Sequence, residues 1–205
     1  MVREHGTGEA MGERTVVIGA DGLARCPWVG ATPDYIAYHD DEWGKPLHGD
    51  DALFERLCLE GFQSGLSWLT ILRKRPAFRT AFADFSIERV AAFGESDVER
   101  LLADAGIVRN RQKINAAIVN ARTALVLDGG LSDLIWSHVP TVQVEPPRLD
   151  EHIPAVTTES TALAKALKRA GFVFVGPTTC YALMQACGLV NDHLAECHAR
   201  SAPVG

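Results

Sequence analysis

The chain has no apolar run near the ~20 residues that a bilayer-spanning helix needs; its apolar runs are short, such as Phe172-Val173-Phe174-Val175. A membrane role through such a helix is therefore excluded. The N-terminal segment offers no apolar block of secretion-signal length, since Val16-Val17-Ile18 is too short, and a cytoplasmic protein is expected. Cysteine is scarce, at five residues, and in a reducing compartment these are expected as free or metal-bound thiols. Positive charge is also in short supply: Lys and Arg total 20 against 26 Asp and Glu, a net charge of −6. A mildly acidic chain is not an obvious nucleic-acid binder, so any such role rests on where the charge sits. Internal repeats and low-complexity tracts are missing as well.

What is present describes a chain with a core. Hydrophobic residues make up 47% and charged residues 22%, which excludes wholesale disorder. At roughly 150 residues per domain, 205 residues make one domain, or one with a small appendage. Residues 1–24, interrupted by Gly6, Gly8, Gly12, Gly19 and Gly22, read as a flexible tail, and 25–200 as a single helical domain.

From Asp50 onward the pattern is helical. Asp50 or Asp51 caps a helix with Leu53, Phe54, Leu57 and Cys58 on one face and Gly61 at its end. Ser64 is expected to cap Gly65–Arg75, with Pro76 stopping that helix and opening the next. Ser86 precedes a helix over Ile87–Phe93, and Ser96-Asp97-Val98-Glu99 reads as a capping box. After Ala105-Gly106 comes a long helix with Ile114, Ile118, Ala121 and Leu125 on one face, ended by Gly129-Gly130. A short helix over Leu131–Val139, a proline-rich loop over 140–157, and helices over Ser160–Ala170 and Thr178–Gly188 complete the reading. Phe172–Val175 is the sole strand-like run, so the class is all-α.

Three constellations carry chemistry. The first is metal-ligating. His193 and Cys197 stand at i and i+4, one above the other on a helix face, and Cys26 with His39 would complete a closed Cys2His2 set for zinc. His48, His198 and Cys187 compete for those places, and a surface His with a buried Cys is the plainer reading. Cys58, Cys180 and Cys187 sit in apolar stretches and read as core.

The second is a concentration of Tyr35, Tyr38, Trp43 and Trp68 around Glu60, in a chain with 7% aromatics. Glu60 falls in the last turn of its helix, where the dipole opposes a carboxylate. Ordinarily such a Glu is solvated; held in an aromatic pocket, it suits a flat, cationic ligand.

The third is the turn at Ala105-Gly106-Ile107-Val108, followed by Arg109, Asn110, Arg111 and Lys113. Helix, glycine turn and basic helix start make a helix-hairpin-helix pattern whose backbone N–H groups suit a phosphate. A purely structural helical turn reads equally well. Arg73, Lys74, Arg75 and Arg79 form one acid-free basic stretch, and Arg109, Arg111, Lys113 and Arg122 a second. Either alone reads as a solvated helix face. Together, flanking the turn, they fit phosphate contact.

Taken in order, several blocks resemble bacterial DNA-3-methyladenine glycosylase I. They are Arg25-Cys26-Pro27-Trp28, Tyr35–Gly44, Leu59–Trp68, Asp104–Arg109, Gly171–Gly176 and Met184–His193, and the similarity runs from Cys26 to about Cys197. The resemblance implies an all-α, helix-hairpin-helix glycosylase fold with a zinc site joining the N- and C-terminal segments. It implies a structural zinc on Cys26, His39, His193 and Cys197, base recognition by Tyr35, Tyr38, Glu60 and Trp68, and DNA contact through Gly106, Ile107, Val108, Arg109 and Arg111. Relatives elsewhere in the superfamily carry an Asp after the hairpin. Here the next acid after the hairpin is Asp128, an absence the resembled family shares.

The activity so implied is base excision repair. A monofunctional hydrolase, expected as a monomer, flips N3-methyladenine out of double-stranded DNA, with Glu60 as its catalytic carboxylate and no strand cleavage by Lys113. The alternatives are a non-catalytic, zinc-stapled module that binds DNA or protein, and a zinc hydrolase lacking one of the four ligands.

Overall fold

The computed structural model describes residues 15–142, 145–150 and 153–200. Among them are nine α-helices: α1 (Pro33–Asp41), α2 (Asp50–Gln63), α3 (Trp68–Ala81), α4 (Ile87–Ala91), α5 (Glu95–Ala103), α6 (Arg111–Leu125), α7 (Gly130–Trp136), α8 (Thr158–Ala170) and α9 (Pro177–Ala186). The all-α expectation holds, with one small addition. Val17–Ile18 (β1) and Ala24–Arg25 (β2) pair antiparallel, Val17 opposite Arg25. Of the stretch read as a tail, residues 15–24 thus enter a short hairpin and residues 1–14 lie outside the described part.

The stripe on α2 makes it the central helix: Leu53, Phe54, Leu57, Cys58, Leu59 and Phe62 are all buried. Around its C-terminal half, Phe62 and Phe78 stand 4.7 Å apart between ring centroids, and Phe82 stacks on Phe85 at 5.4 Å. Each such ring contributes roughly 1.5–3 kcal/mol by leaving water. α4 packs on α6, α8 on α9, and α9 returns to α2.

A second, smaller cluster gathers Cys26, Val29, Tyr38, Trp43, Leu72, Ala186, Leu194 and Cys197. Trp68 and Ile153 touch both clusters, so the seam between them is where a cavity can open.

Several local expectations shift. α1 escapes the sequence reading, although Thr32-Pro33 is a sound helix start with proline in the first turn. The cap of α3 is Ser67, whose hydroxyl accepts from Thr70 N–H, because Gly65 takes φ 83° and turns the chain first. Pro76 does not stop α3, which runs on to Ala81; Ile71 and Leu72 before it and Phe78 and Ala81 after it are buried, and that packing outweighs the lost backbone bond. Phe172–Val175 is not a strand. Asn120 holds it instead, its Nδ2 donating to the Val173 carbonyl at 3.0 Å and its Oδ1 accepting from Val173 N–H at 2.8 Å. α5 starts after Gly94 rather than at Ser96, with the Asp97 carboxylate accepting from Gly94 N–H at 3.1 Å.

Neither Asp50 nor Asp51 caps α2, whose N-cap is Gly49; both lie in its first turn, and their carboxylates serve other helices. Asp50 accepts from Ser132 N–H in the first turn of α7 at 2.7 Å, and Asp51 from Ile87 N–H at the start of α4 at 2.9 Å. Two acids thereby satisfy helix-end donors that would otherwise be orphaned.

Candidate active site

A cavity of about 340 Å³ opens along the seam. Glu60 reaches it from the last turn of α2, Trp68 from the first residue of α3, Tyr38 from α1 and Gln185 from α9. Trp28 and Trp43 complete an aromatic wall, with ring centroids 5.1 Å apart. Tyr38 and Trp68 are 5.4 Å apart and tilted by 49°.

Three of the four base-recognition candidates, Tyr38, Glu60 and Trp68, line this cavity. Tyr35 does not. Its hydroxyl accepts from Leu69 N–H at 3.0 Å and so secures the start of α3, while its ring meets Trp28 edge-on at 5.6 Å. Trp28, Gln63, Asp150 and Gln185 line the cavity and went unassigned in the sequence reading; Trp28, beside Cys26, was within reach of the aromatic argument.

Glu60 is buried, and no hydrogen-bond donor among the described residues reaches its carboxylate. Burial pushes its carboxyl up to about 8, with the Arg56 guanidinium opposing that rise. Arg56 is itself held elsewhere: it donates to Glu42 and lies over the Tyr38 ring, 5.7 Å from its centroid. Arg75 donates to both oxygens of Glu42 at 2.6 and 2.7 Å. Burial would raise the Glu42 carboxyl, but these two arginines bring it down to about 2. Burial likewise lifts the Tyr38 phenol well above its ordinary range, and Glu60 adds to the rise, so Tyr38 stays a neutral hydroxyl. Trp68 Nε1 is buried with no acceptor among the described residues. The pocket therefore presents a buried donor without a partner among the described residues and a carboxyl that no described donor reaches, between aromatic faces, an arrangement suited to a planar ligand.

The metal-ligand candidates also converge. The ligand atoms of Cys26, His39 and Cys197 lie within 4.8 Å of one another, all buried. His193 joins them, its ring centroid 4.7 Å from that of His39. Its Nε2 is buried without a partner among the described residues, while its Nδ1 is 2.8 Å from Asn191 Oδ1. His39 repeats the arrangement, with Nδ1 2.7 Å from Asp40 Oδ1 and Nε2 3.4 Å from Cys197 Sγ. An acceptor on each Nδ1 keeps the hydrogen there and leaves the Nε2 lone pair free to ligate. Burial, then the neighbouring His39, lowers His193 to about 4, so it is a neutral imidazole. Hydrogen bonds from Cys26 and His39 draw the Cys197 thiol well below its ordinary range, which favours its thiolate form. Gly44 (φ 74°) permits this closeness, since a Cβ there would come within 2.8 Å of His193 Cε1. Cys26, His39 and Cys197 make a Cys/His group that could hold a metal, and His193 stands beside it. Among the competitors, His198 lies outside it, its Nε2 3.0 Å from Asp40 Oδ1.

At the hairpin, α5 and α6 flank the turn as expected. Gly106 N–H, however, donates to the Asp104 carboxylate at 2.7 Å, and a Cβ on Gly106 would come within 3.0 Å of Ala77. Ile107 is buried core, and Val108 packs against the same core. Arg111 is drawn to Glu95 and Glu99. Arg73 pairs with Asp34, Arg79 with Glu55, and Arg122 donates to the Ala91 and Phe93 carbonyls. Of the eight cations in the two basic stretches, Arg109 alone has no protein partner among the described residues, and it is exposed. None of those residues belongs to a helix long and apolar enough to cross a membrane.

Residues 28–201 match the model of the methyladenine glycosylase family. DNA-3-methyladenine glycosylase 1 of Escherichia coli (strain K12) is 52% identical over 181 residues, covering 85% of this chain and 96% of that protein. A crystal structure of 3-methyladenine DNA glycosylase I superposes with a TM-score of 0.83 at 50% identity, over 86% of this chain and all of the other. A variant of 3-methyladenine DNA glycosylase I in complex with 3-methyladenine superposes with a TM-score of 0.82 at 36% identity, over 87% and 98% of the two chains.

Proposed function

The chain belongs to the methyladenine glycosylase family, and from that membership we propose that it is a repair enzyme that excises N3-methyladenine from alkylated double-stranded DNA. The observation that carries this is Glu60, a buried carboxyl that no donor among the described residues reaches, facing a cavity walled by Tyr38, Trp28, Trp43 and Trp68. The same reading makes the enzyme a cytoplasmic monomer acting by hydrolysis alone.

Methylation at N3 makes adenine a cation and a good leaving group, so strong acid catalysis is not required. The enzyme rotates the nucleotide out of the stack and holds the base. In the empty cavity Glu60 keeps its proton at neutral pH, because burial disfavours the charge. A cationic base supplies the missing partner, so as it enters Glu60 gives its proton to solvent and, as a carboxylate, accepts hydrogen bonds from the base edge. Tyr38 assists with its hydroxyl, and Trp68 with the facing tryptophans stacks on the ring. Tyr35 acts through the start of α3. Water adds at the sugar C1′ as the glycosidic bond breaks, and that bond's electron pair leaves with the base. Neutral adenine brings no charge to stabilise the buried Glu60 carboxylate, so it gains less in the cavity, and that difference is the source of selectivity.

We assign a zinc ion to Cys26, His39, His193 and Cys197, with the unpartnered His193 Nε2 as the support from this chain. Four protein ligands leave no open position, so the ion would supply structure, tying the first described segment to the last. Arg109 is the phosphate contact best supported at the hairpin, since Arg111 is engaged with two glutamates.

Chromatography of bases released from methylated duplex DNA tests the reading. Free 3-methyladenine, with 7-methylguanine left in place, is expected. A folded, metal-loaded protein that releases nothing would instead be a zinc-stapled binding module.

A further inference from the structure

The Lys113 side chain leaves the first turn of α6 and ends at the C-terminal end of α2. Its Nζ donates to the Phe62 carbonyl at 2.8 Å and to the Ser64 carbonyl at 2.6 Å. These carbonyls belong to the C-terminal end of α2, whose last turn leaves its carbonyls without helical partners. The chain departs abruptly there: Ser64 has ψ 116° and Gly65 φ 83°. Glu60 lies two residues before the tie, Gln63 lies inside it, and Trp68 follows four residues after Ser64; all three line the cavity. A cation also suits the negative end of the α2 dipole, where Glu60 sits.

A second tie runs the other way. Lys74 of α3 donates to the carbonyls of Ala105 and Gly106 in the hairpin, at 2.9 and 3.1 Å. The helices that hold the base pocket and the hairpin that faces DNA are thus cross-braced by two ammonium groups.

We infer that Lys113 is a positioning residue for excision: it holds the α2–α3 turn, and with it Glu60 and Trp68, in register with the hairpin. This rests on the glycosylase reading above. It gives the amine an occupation other than phosphate contact or Schiff-base chemistry, the two roles its place after the hairpin suggests.

The test compares Lys113→Met and Lys113→Arg in the full-length, metal-loaded protein. Lys113→Met is expected to slow single-turnover release of 3-methyladenine about 10- to 100-fold, as misplaced reacting groups do. Binding of free 3-methyladenine, followed by tryptophan fluorescence, should weaken by a similar factor, and amides of residues 62–68 should exchange faster with solvent. Duplex affinity and its salt dependence should not change, and Lys113→Arg, which keeps donors and charge, should recover most of the rate. A general loss of folding would lower release and duplex binding together, with no such split.

A fall of about one in the salt slope, with release from bound DNA and amide exchange as in wild type, would make Lys113 a phosphate contact and overturn the inference. A borohydride-trapped adduct that disappears in Lys113→Met would overturn it too, as would a Met variant indistinguishable from wild type. If Lys113→Met does not fold, Lys113→Gln, which keeps a donor without the charge, is expected to show the same split at smaller size, and its absence there overturns the inference. Wild-type protein that releases no base would sink the glycosylase reading, while amide exchange would still decide the tie.

Discussion

The base cavity and the hairpin are neighbours built on opposite plans. The cavity holds polar groups without protein partners among the described residues: no donor reaches Glu60, and buried Trp68 Nε1 finds no acceptor. At the hairpin, Asp104 takes the Gly106 N–H, Lys74 takes two turn carbonyls, and Arg111 sits between two glutamates. An unpaired buried group costs free energy that a ligand can return, so the cavity is shaped to exchange partners. A satisfied turn gains little from a new partner and serves as a rigid frame. The Cys/His group follows the cavity's plan, since His193 Nε2 waits for an acceptor of its lone pair.

The largest expected effect breaks that second unsatisfied site. Chelation, or Cys197→Ser, should lower the melting temperature by 10 °C or more, on the order of several kcal/mol, because ligand binding there is also folding energy. Thermal unfolding with and without chelator, alongside metal content, reads this directly. Unchanged stability after complete metal removal would remove zinc from the account.

Glu60→Gln should separate function from stability. Release of 3-methyladenine should fall by about two to three orders of magnitude. Stability should move the other way. The Glu60 carboxyl titrates at about 8 when folded and at 4.5 when free, so its contribution is fully present below 4.5 and lost as pH rises through 8. The glutamine variant should therefore gain on wild type by a few kcal/mol at pH 9 and by almost nothing at pH 4. Melting curves at both pH values check the sign. A variant less stable than wild type at pH 9 would mean that the carboxylate has a partner in the folded protein.

The same group should shape the pH profile. Because kcat/KM reports the free enzyme, it should fall as pH drops below about 8 and Glu60 takes up its proton, and Glu60→Gln should flatten that limb. A limb that persists in the variant belongs to another group.

The smallest effect sharpens the hairpin side. Arg109→Ala should reduce the salt slope of duplex binding by about one, whereas Arg111→Ala should leave it nearly unchanged. Equal slopes for the two variants would show that the glutamates release Arg111 to DNA.

Much of this molecule is readable along the chain. The apolar stripe of α2, the glycine turn between α5 and α6, and the cluster of Tyr38, Trp43 and Trp68 near Glu60 are local patterns with local causes. The spacing of His193 and Cys197 is not of this kind: residues 193–197 form turns and not the helix expected, so tertiary packing, not a shared helix face, brings the two near one another. Other features depend on partners distant in sequence. Nothing near Pro76 says that α3 continues through it; the buried residues on either side do. Nothing in a basic stretch says which cations are spoken for, since Arg75 meets Glu42 and Lys74 meets Gly106 only after folding. Tyr35 and Tyr38 lie three residues apart on α1, yet one secures a helix start and the other lines the cavity.

By itself, the sequence determined the helical class, the hairpin and the identity of the residues able to carry chemistry, because periodicity, turn preference and side-chain type are local properties. Only the tertiary structure decided which of those side chains are left without partners, and therefore free to act. Burial and charge pairing are set by segments that meet across more than a hundred residues, as Cys26 and Cys197 do.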